Sequence, residues 1–197
     1  MGYQVQQDDK VSYNNKPIKP EKFVYVLLNK PKDFITTMED THNRRTVMDL
    51  VEKACQERIF PVGRLDRNTT GILLFTNDGS LTEKLTHPSY QIKKIYQVEL
   101  DKPISKLDFE QLQDPMQLED GEVKIDDIAI LSSDKKTLGL EIHVGKNRIV
   151  RRIFEHLGYE VIKLDRTMYG PLTKKDLPRG KWRFLSPKEL IVLKNLS

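Results

Sequence analysis

Cysteine is almost missing from this chain. Cys55 stands alone, so no intramolecular disulfide can staple the fold, and a reducing compartment suits it. No apolar run approaches the roughly 20 residues that span a bilayer. The start, M-G-Y-Q-V-Q-Q-D-D-K, has neither the basic onset nor the apolar stretch of a signal peptide. A cytoplasmic protein without a membrane partner is the expectation. The four histidines, His42, His87, His143 and His156, show no metal-ligand spacing and have no cysteine pair beside them. His143 alternates with Ile142 and Val144, which suits the polar face of a strand. There is no G-x-x-x-x-G-K-[ST], no strand-linked G-x-G-x-x-G and no G-x-S-x-G. Asp40, Asp49 and Asp78 have no spacing that unites them with Asp66 into a two-metal site. No metal and no cofactor is therefore expected, and internal repeats and low-complexity tracts are absent too.

What the chain does contain is a soluble globular composition. Of its 197 residues 38% are hydrophobic and 31% charged, enough to bury a real core. The net charge of +4 hides a strong polarity. Residues 105–127 carry eight acidic and two basic side chains, whereas residues 144–183 carry eleven basic and four acidic ones. Such a chain can turn a basic surface toward a polyanion while its acidic part faces elsewhere; a solvated, salt-laced surface explains the charge equally well.

Alternating apolar residues and turn signals predict strands near Phe23–Leu28, Gly71–Phe75, Ile95–Leu100, Val123–Leu131, Leu138–Val144, Glu160–Leu164 and Trp182–Leu185. Ser80-Leu81-Thr82-Glu83 reads as a capping box opening a helix that Pro88 stops. Ser105 opens a second, ending by Pro115, and Ser186-Pro187 opens the last. The order predicts an α+β fold with a large, mixed, mostly antiparallel sheet and flanking helices. Residues 1 to about 20 are polar and end in the turn signal Asn14-Asn15-Lys16-Pro17.

Two stretches suggest chemistry. In G-K-N-R-I-V-R-R-I-F-E-H-L-G, a helical projection gathers Ile149, Val150, Ile153, Phe154 and Leu157 on one arc, with Arg148, Arg151, Arg152 and Glu155 opposite. Cations in a first turn oppose the helix dipole by a few tenths of a kcal/mol each, roughly, so an anion is expected beside them, with Lys146 adding to the cluster. The bland alternative pairs Glu155 with Arg151 and Arg152. In P-V-G-R-L-D-R-N-T-T-G, Asp66 lies between Arg64 and Arg67. A nearby arginine favours the ionised carboxylate that a nucleophile needs. An aspartate in a turn is also a common backbone cap, so residue types alone leave both readings open.

Gly63-Arg64-Leu65-Asp66 followed by Thr70-Gly71-Ile72-Leu73-Leu74-Phe75-Thr76-Asn77-Asp78-Gly79 resembles the signature of pseudouridine synthases, most closely the RsuA/RluB type that acts on ribosomal RNA. The likeness continues through Leu85-Thr86-His87-Pro88, Lys94-Ile95-Tyr96, Gly145-Lys146-Asn147-Arg148 to Arg151-Arg152, and Gly170-Pro171-Leu172. It runs from Tyr25 to Leu190.

The resemblance implies an isomerase that moves the glycosidic bond of a uridine from N1 to C5 without metal, cofactor or second substrate. It matches Asp66 to the nucleophile, Tyr96 to the tyrosine that stacks on the base and assists loss of the C5 proton, and Arg151 to the basic partner of the aspartate. Arg45, Arg64, Arg67, Lys94, Lys146, Arg148 and Arg152 would hold RNA. The implied partner is ribosomal RNA, large-subunit by preference, or a ribosome-assembly intermediate, with the protein a monomer. Members of this type usually begin with an S4-like RNA-binding module. Residues 1–20 resemble only its tail, leaving 21–197 as the catalytic domain, and Ile149 replaces a frequent polar residue. The competing reading is a catalytically silent RNA-binding or ribosome-assembly factor with the same fold. A metal-dependent nuclease comes third.

Overall fold

The computed structural model describes residues 9–14, 16–17 and 22–196. The described part of the N-terminal segment is a two-strand antiparallel hairpin, β1 (Ser12–Tyr13) with β2 (Lys16–Pro17), turned at Asn14 with φ 49°. The rest of the expected module tail, 1–8, 15 and 18–20, lies outside the described residues. In chain order there follow β3 (Tyr25–Lys30), α1 (Val47–Val51), β4 (Phe60–Pro61), β5 (Thr69–Thr76), α2 (Gly79–Thr86) and β6 (Lys94–Leu100). Next come α3 (Lys106–Gln111), β7 (Met116–Leu118), β8 (Gly121–Val123), β9 (Asp127–Ile130), β10 (Thr137–Ile142) and α4 (Ile149–His156). The chain closes with β11 (Val161–Tyr169), β12 (Leu172–Thr173), β13 (Trp182–Phe184) and α5 (Pro187–Lys194). No helix among the described residues is long and apolar enough to cross a membrane.

Nine strands form one sheet. Its path runs β13-β3-β5-β11-β6-β10-β9, with β4 added beside β5 and β12 beside β11. Every pairing is antiparallel except β5 with β11, where Leu164, Asp165 and Arg166 face Thr69, Thr70 and Gly71 in parallel. The expected mixed, mostly antiparallel α+β architecture is therefore what the chain adopts.

The centre of the sheet is covered on both faces. Val26, Leu28, Leu73 and Phe75 pack with Val47 and Val51 of α1 on one side; Leu27, Ile72 and Leu74 pack with Leu81, Leu85 and Leu193 on the other. This two-sided burial is why β3 and β5 read as continuous apolar runs rather than alternating ones. A third cluster joins β6, β7, β8 and β10 to the apolar arc of α4, where Ile149, Val150, Ile153 and Phe154 are buried. Each such side chain contributes about 1.5–3 kcal/mol of burial.

Some local expectations shift. The helix after β5 is capped by Asp78, whose carboxylate accepts from the Leu81 amide at 3.1 Å, and Ser80 merely donates its hydroxyl to Asp78. The single strand expected over Val123–Leu131 is two, β8 and β9, because the chain breaks off to let the Asp126 amide bond the Glu141 carbonyl. The strand expected at Glu160–Leu164 continues to Tyr169, held by β6 along its length.

Gly71 permits the parallel junction. Its φ is +111°, and a Cβ there would lie 2.2 Å from the Arg166 carbonyl oxygen and 2.5 Å from the Arg166 nitrogen. Only glycine lets the two backbones approach so closely.

Candidate active site

A parallel pair brings the loops preceding both its strands to the same end. The loop before β5 carries Asp66, and the parallel pairing sets the Val161 end of β11 beside it; Arg151 of α4 bridges the Val161 and Asn68 carbonyls, which holds the basic start of that helix near the aspartate. Lys30, fully buried at the end of β3, fixes the loop from below. Its ammonium donates to the carbonyls of Asp66 at 3.0 Å, Thr69 at 2.8 Å and Pro31 at 3.1 Å. Burial pushes its pKa down to about 8, against the opposing pull of Asp66 and Asp33. The Thr69 amide closes on the Asp66 carbonyl at 3.0 Å, and Thr36 takes the Leu65 carbonyl at 2.7 Å. The backbone of Asp66 is thus pinned on several sides while its side chain stays 36% exposed, with no hydrogen bond to either carboxylate oxygen among the described residues.

The aspartate stands at a cavity of about 360 Å³ whose walls include Arg64, Thr69, Lys94, Tyr96, Lys146, Arg148, Leu164, Arg166 and Tyr169. Five of the lining side chains are cationic and Asp66 is the one anion among the lining residues. Tyr96, 9% exposed, projects from the middle of β6, where it faces Leu140 on one side and Arg166 on the other. Lys94, two residues earlier, emerges on the same face. Its ammonium donates to the His143 carbonyl at 2.7 Å, and burial followed by the nearby Arg166 charge drives its pKa down to about 8.

The helix arginines do not divide as the projection suggests. Arg148 is the N-cap, in the left-handed conformation with φ 48°, and its guanidinium reaches Asp66 at 3.9 Å and Glu155 at 3.4 Å. The ion pair expected from Arg151 therefore falls to Arg148. Arg151 is buried rather than opposite the core, 5% exposed. It donates to the Val161 carbonyl at 2.7 Å and the Asn68 carbonyl at 3.4 Å, so it braces the loop's backbone. Burial and then Arg148 lower its pKa, while Asp66 acts in the opposite direction. Arg152 pairs with Asp120 of the β7–β8 turn at 2.5 Å, and Lys146 donates to the Asp120 carbonyl at 2.7 Å. Glu155 pairs with neither Arg151 nor Arg152 but with Arg148.

Of the ten residues singled out from the sequence, Asp66, Tyr96, Arg64, Lys94, Lys146 and Arg148 line the cavity. Arg151 stands behind it. Arg67 pairs with Asp33 at 3.3 Å on the far side of the loop, and Arg45 lies over the Phe34 ring at 4.8 Å, so neither lines the cavity, nor does Arg152. Sequence reasoning passed over Lys30, Thr69, Arg166 and Tyr169. Lys30 left a trace, a lone cation closing the apolar strand Y-V-L-L-N-K; Arg166 left one too, alternating with Leu164 and Asp165.

Comparison with known proteins decides what this arrangement belongs to. The family model described as RNA pseudouridylate synthase matches residues 24–156. The chain belongs to this family. It is 39% identical over 201 residues to the ribosomal large subunit pseudouridine synthase B of Bacillus subtilis (strain 168), covering 100% of this chain and 82% of that protein. It is 37% identical over 188 residues to an uncharacterized RNA pseudouridine synthase of Aquifex aeolicus (strain VF5), covering 94% and 75%. Among solved structures, a crystal structure of pseudouridylate synthase superposes with a TM-score of 0.78 at 25% identity, covering 97% of this chain and 83% of the other. The chain is thus an RNA pseudouridine synthase, an isomerase with the fold expected for one.

Proposed function

We propose that the protein isomerises a uridine of ribosomal RNA, in the large subunit, with Asp66 as the nucleophile and the cavity holding the flipped nucleotide. One observation carries the reading: a single carboxylate with unbonded oxygens, backbone-locked, at the mouth of a cationic cavity floored by a tyrosine. Glycosidic transfer within one nucleotide needs that inventory and no more. Extruding the base costs a few kcal/mol, roughly, which contacts to backbone and base return. Arg64 and Arg148 stand at the exposed rim, suited to phosphate, and Lys146 beside them adds charge. Tyr96 offers a ring for stacking and a hydroxyl within the cavity that receives the base, suited to assist removal of the C5 proton. Arg151 holds the Asp66 loop through the Asn68 carbonyl and adds a positive field behind the carboxylate.

The ribosomal target is supported by the Bacillus subtilis relative, which is named for the large subunit and aligns along this whole chain. The catalytic unit on this reading is 21–197, acting as a monomer in the cytoplasm.

Tritium release tests the activity. Ribosomal RNA labelled at uridine C5 should lose tritium to water on incubation with the protein, in the presence of a chelator. Binding without release, from naked RNA and from partly assembled large subunits alike, would overturn the proposal and favour an assembly factor.

A further inference from the structure

We propose that Arg166 and Lys94 form a donor-only recess that grips a carbonyl oxygen of the flipped uracil and carries its negative charge while the base is detached from the sugar. The inference rests on the isomerase reading above and assigns a role at the floor of the same cavity.

Arg166 is 4% exposed, at the centre of β11. Its Nε donates to the Ile72 carbonyl at 2.9 Å and its guanidinium carbon lies 4.6 Å from the centre of the Tyr169 ring, but its Nη2 is buried with no partner among the described residues. The Thr69 hydroxyl, on the same cavity wall, likewise has no partner among the described residues. Lys94 adds its ammonium 6.0 Å from the same tyrosine ring. Among the described residues neither cation has a carboxylate within 4.0 Å. More exposed cations elsewhere do: Arg152 has Asp120, Arg183 has Glu189 and Lys174 has Asp165. A buried cation with an orphaned donor, beside a second, half-buried one, is an unfavourable arrangement unless an acceptor arrives.

Depth selects the acceptor. Arg64 and Arg148 are exposed at the rim, whereas Arg166 and Lys94 lie inward beside Tyr96, which the β6–β11 register sets directly across from Arg166. Phosphates belong at the rim and the base at the floor. When the C1′–N1 bond breaks, both its electrons leave on the base, and the charge spreads over N1, C5, O2 and O4, however Asp66 assists. The C1′–C5 bond then forms with an electron pair from the uracil, the C5 proton passes to a general base and N1 takes up a proton, so the product is an isomer and nothing is oxidised or reduced. Donors already aimed at a carbonyl where charge develops lower that barrier without reorganising.

The geometry of uracil fits a recess that only donates. Turning the base about its N3–C6 axis, which swaps N1 for C5, also swaps O2 for O4. One carbonyl replaces the other in the recess, so the same donors serve both orientations. Cytosine would bring its amino group against them and be refused.

The test separates chemistry from binding. Single-turnover isomerisation at saturating RNA, with the dissociation constant and its salt dependence measured alongside, is compared for wild type, Arg166→Met, Arg166→Lys and Lys94→Met. The recess requires Arg166→Met and Lys94→Met to cut the saturating rate constant on the order of 10²-fold, with affinity and salt slope essentially unchanged and Arg166→Lys partly restoring the rate. A substrate-side arm avoids any folding defect: replacing O4 or O2 of the target by sulfur, a weaker acceptor, should slow the wild-type enzyme. Rate constants that stay at the wild-type level would overturn the inference. So would a loss confined to affinity with a shallower salt slope, which is the signature of phosphate contacts. An inactive wild type would sink the isomerase reading instead, a result distinct from an active wild type beside an equally active Arg166→Met.

Discussion

Two aspartates flank the parallel junction of β5 and β11, and they are treated in opposite ways. Asp165 sits on β11 opposite Thr70, whose hydroxyl it accepts at 2.5 Å; Arg179 reaches it at 2.7 Å and Lys174 completes the set. Its side chain is 13% exposed, and although burial raises its pKa, the bonds from Lys174, Thr70 and Arg179 together hold it below the usual carboxylate range. Asp66, three residues before Thr69, keeps a 36% exposed side chain with Arg148 no nearer than 3.9 Å. The bonds around Asp66 go to its backbone instead, from Lys30 and from the Thr69 amide. A carboxylate whose oxygens are saturated ties the C-terminal segment to the sheet. One whose backbone is saturated and whose oxygens are left open is ready for a substrate.

The contrast breaks most visibly on turnover. Asp66→Asn should lower isomerisation on the order of 10⁴-fold or more, since the group acts as part of a unit, while the thermal midpoint stays within a few degrees of wild type; single-turnover kinetics and a melting curve check both halves. Gly71→Ala attacks the junction that serves both aspartates. The added Cβ strikes the Arg166 backbone at a positive φ, so a loss of about 3 kcal/mol or more is expected in urea titration. Asp165→Asn leaves Lys174 and Arg179 without their carboxylate and should cost about 2–3 kcal/mol, with isomerisation per folded molecule near the wild-type value.

The smallest effect is in pH. Asp165, with its depressed folded pKa, contributes stability above its unfolded value of roughly 3.9, and that stability is lost as the pH falls further. Asp165→Asn should flatten this acid limb. Lys30 and Lys94 work at the other end. Their folded pKa values of about 8 lie below the usual 10.5, so above pH 8 the unfolded chain holds protons that the folded one has shed. Stability should therefore rise from pH 8 toward 10, and Lys30→Met should reduce that slope in urea titrations across the window. Tyr169, pushed up to about 12 by burial, opposes the trend only above pH 10.

Much of the fold was legible because hydrophobic pattern and capping residues report locally. The seven expected strands all have counterparts, and the helices at Ser105 and Ser186 start at those caps. The five-residue α1 gave little to see: its one signal is Asp49 accepting from the Thr46 amide at 2.7 Å. In the site, motif order pointed to Asp66 and Tyr96, but pairing was beyond reach. Whether Arg148 or Arg151 meets the aspartate depends on an N-cap in the left-handed region and on which carbonyls the β5–β11 junction leaves uncovered. Neither is a property of helical spacing. Lys30 and Arg166 were passed over for a related reason, since a cation is expected outside, and only the loop carbonyls and the Tyr169 ring explain why these two are inside.

The most direct measurement sets the two aspartates side by side: single-turnover isomerisation of one RNA by wild type, Asp66→Asn and Asp165→Asn, normalised to folded protein. Loss of activity in Asp66→Asn alone, with loss of stability in Asp165→Asn alone, is the predicted result. Comparable isomerisation by Asp66→Asn and wild type would contradict the account at its centre.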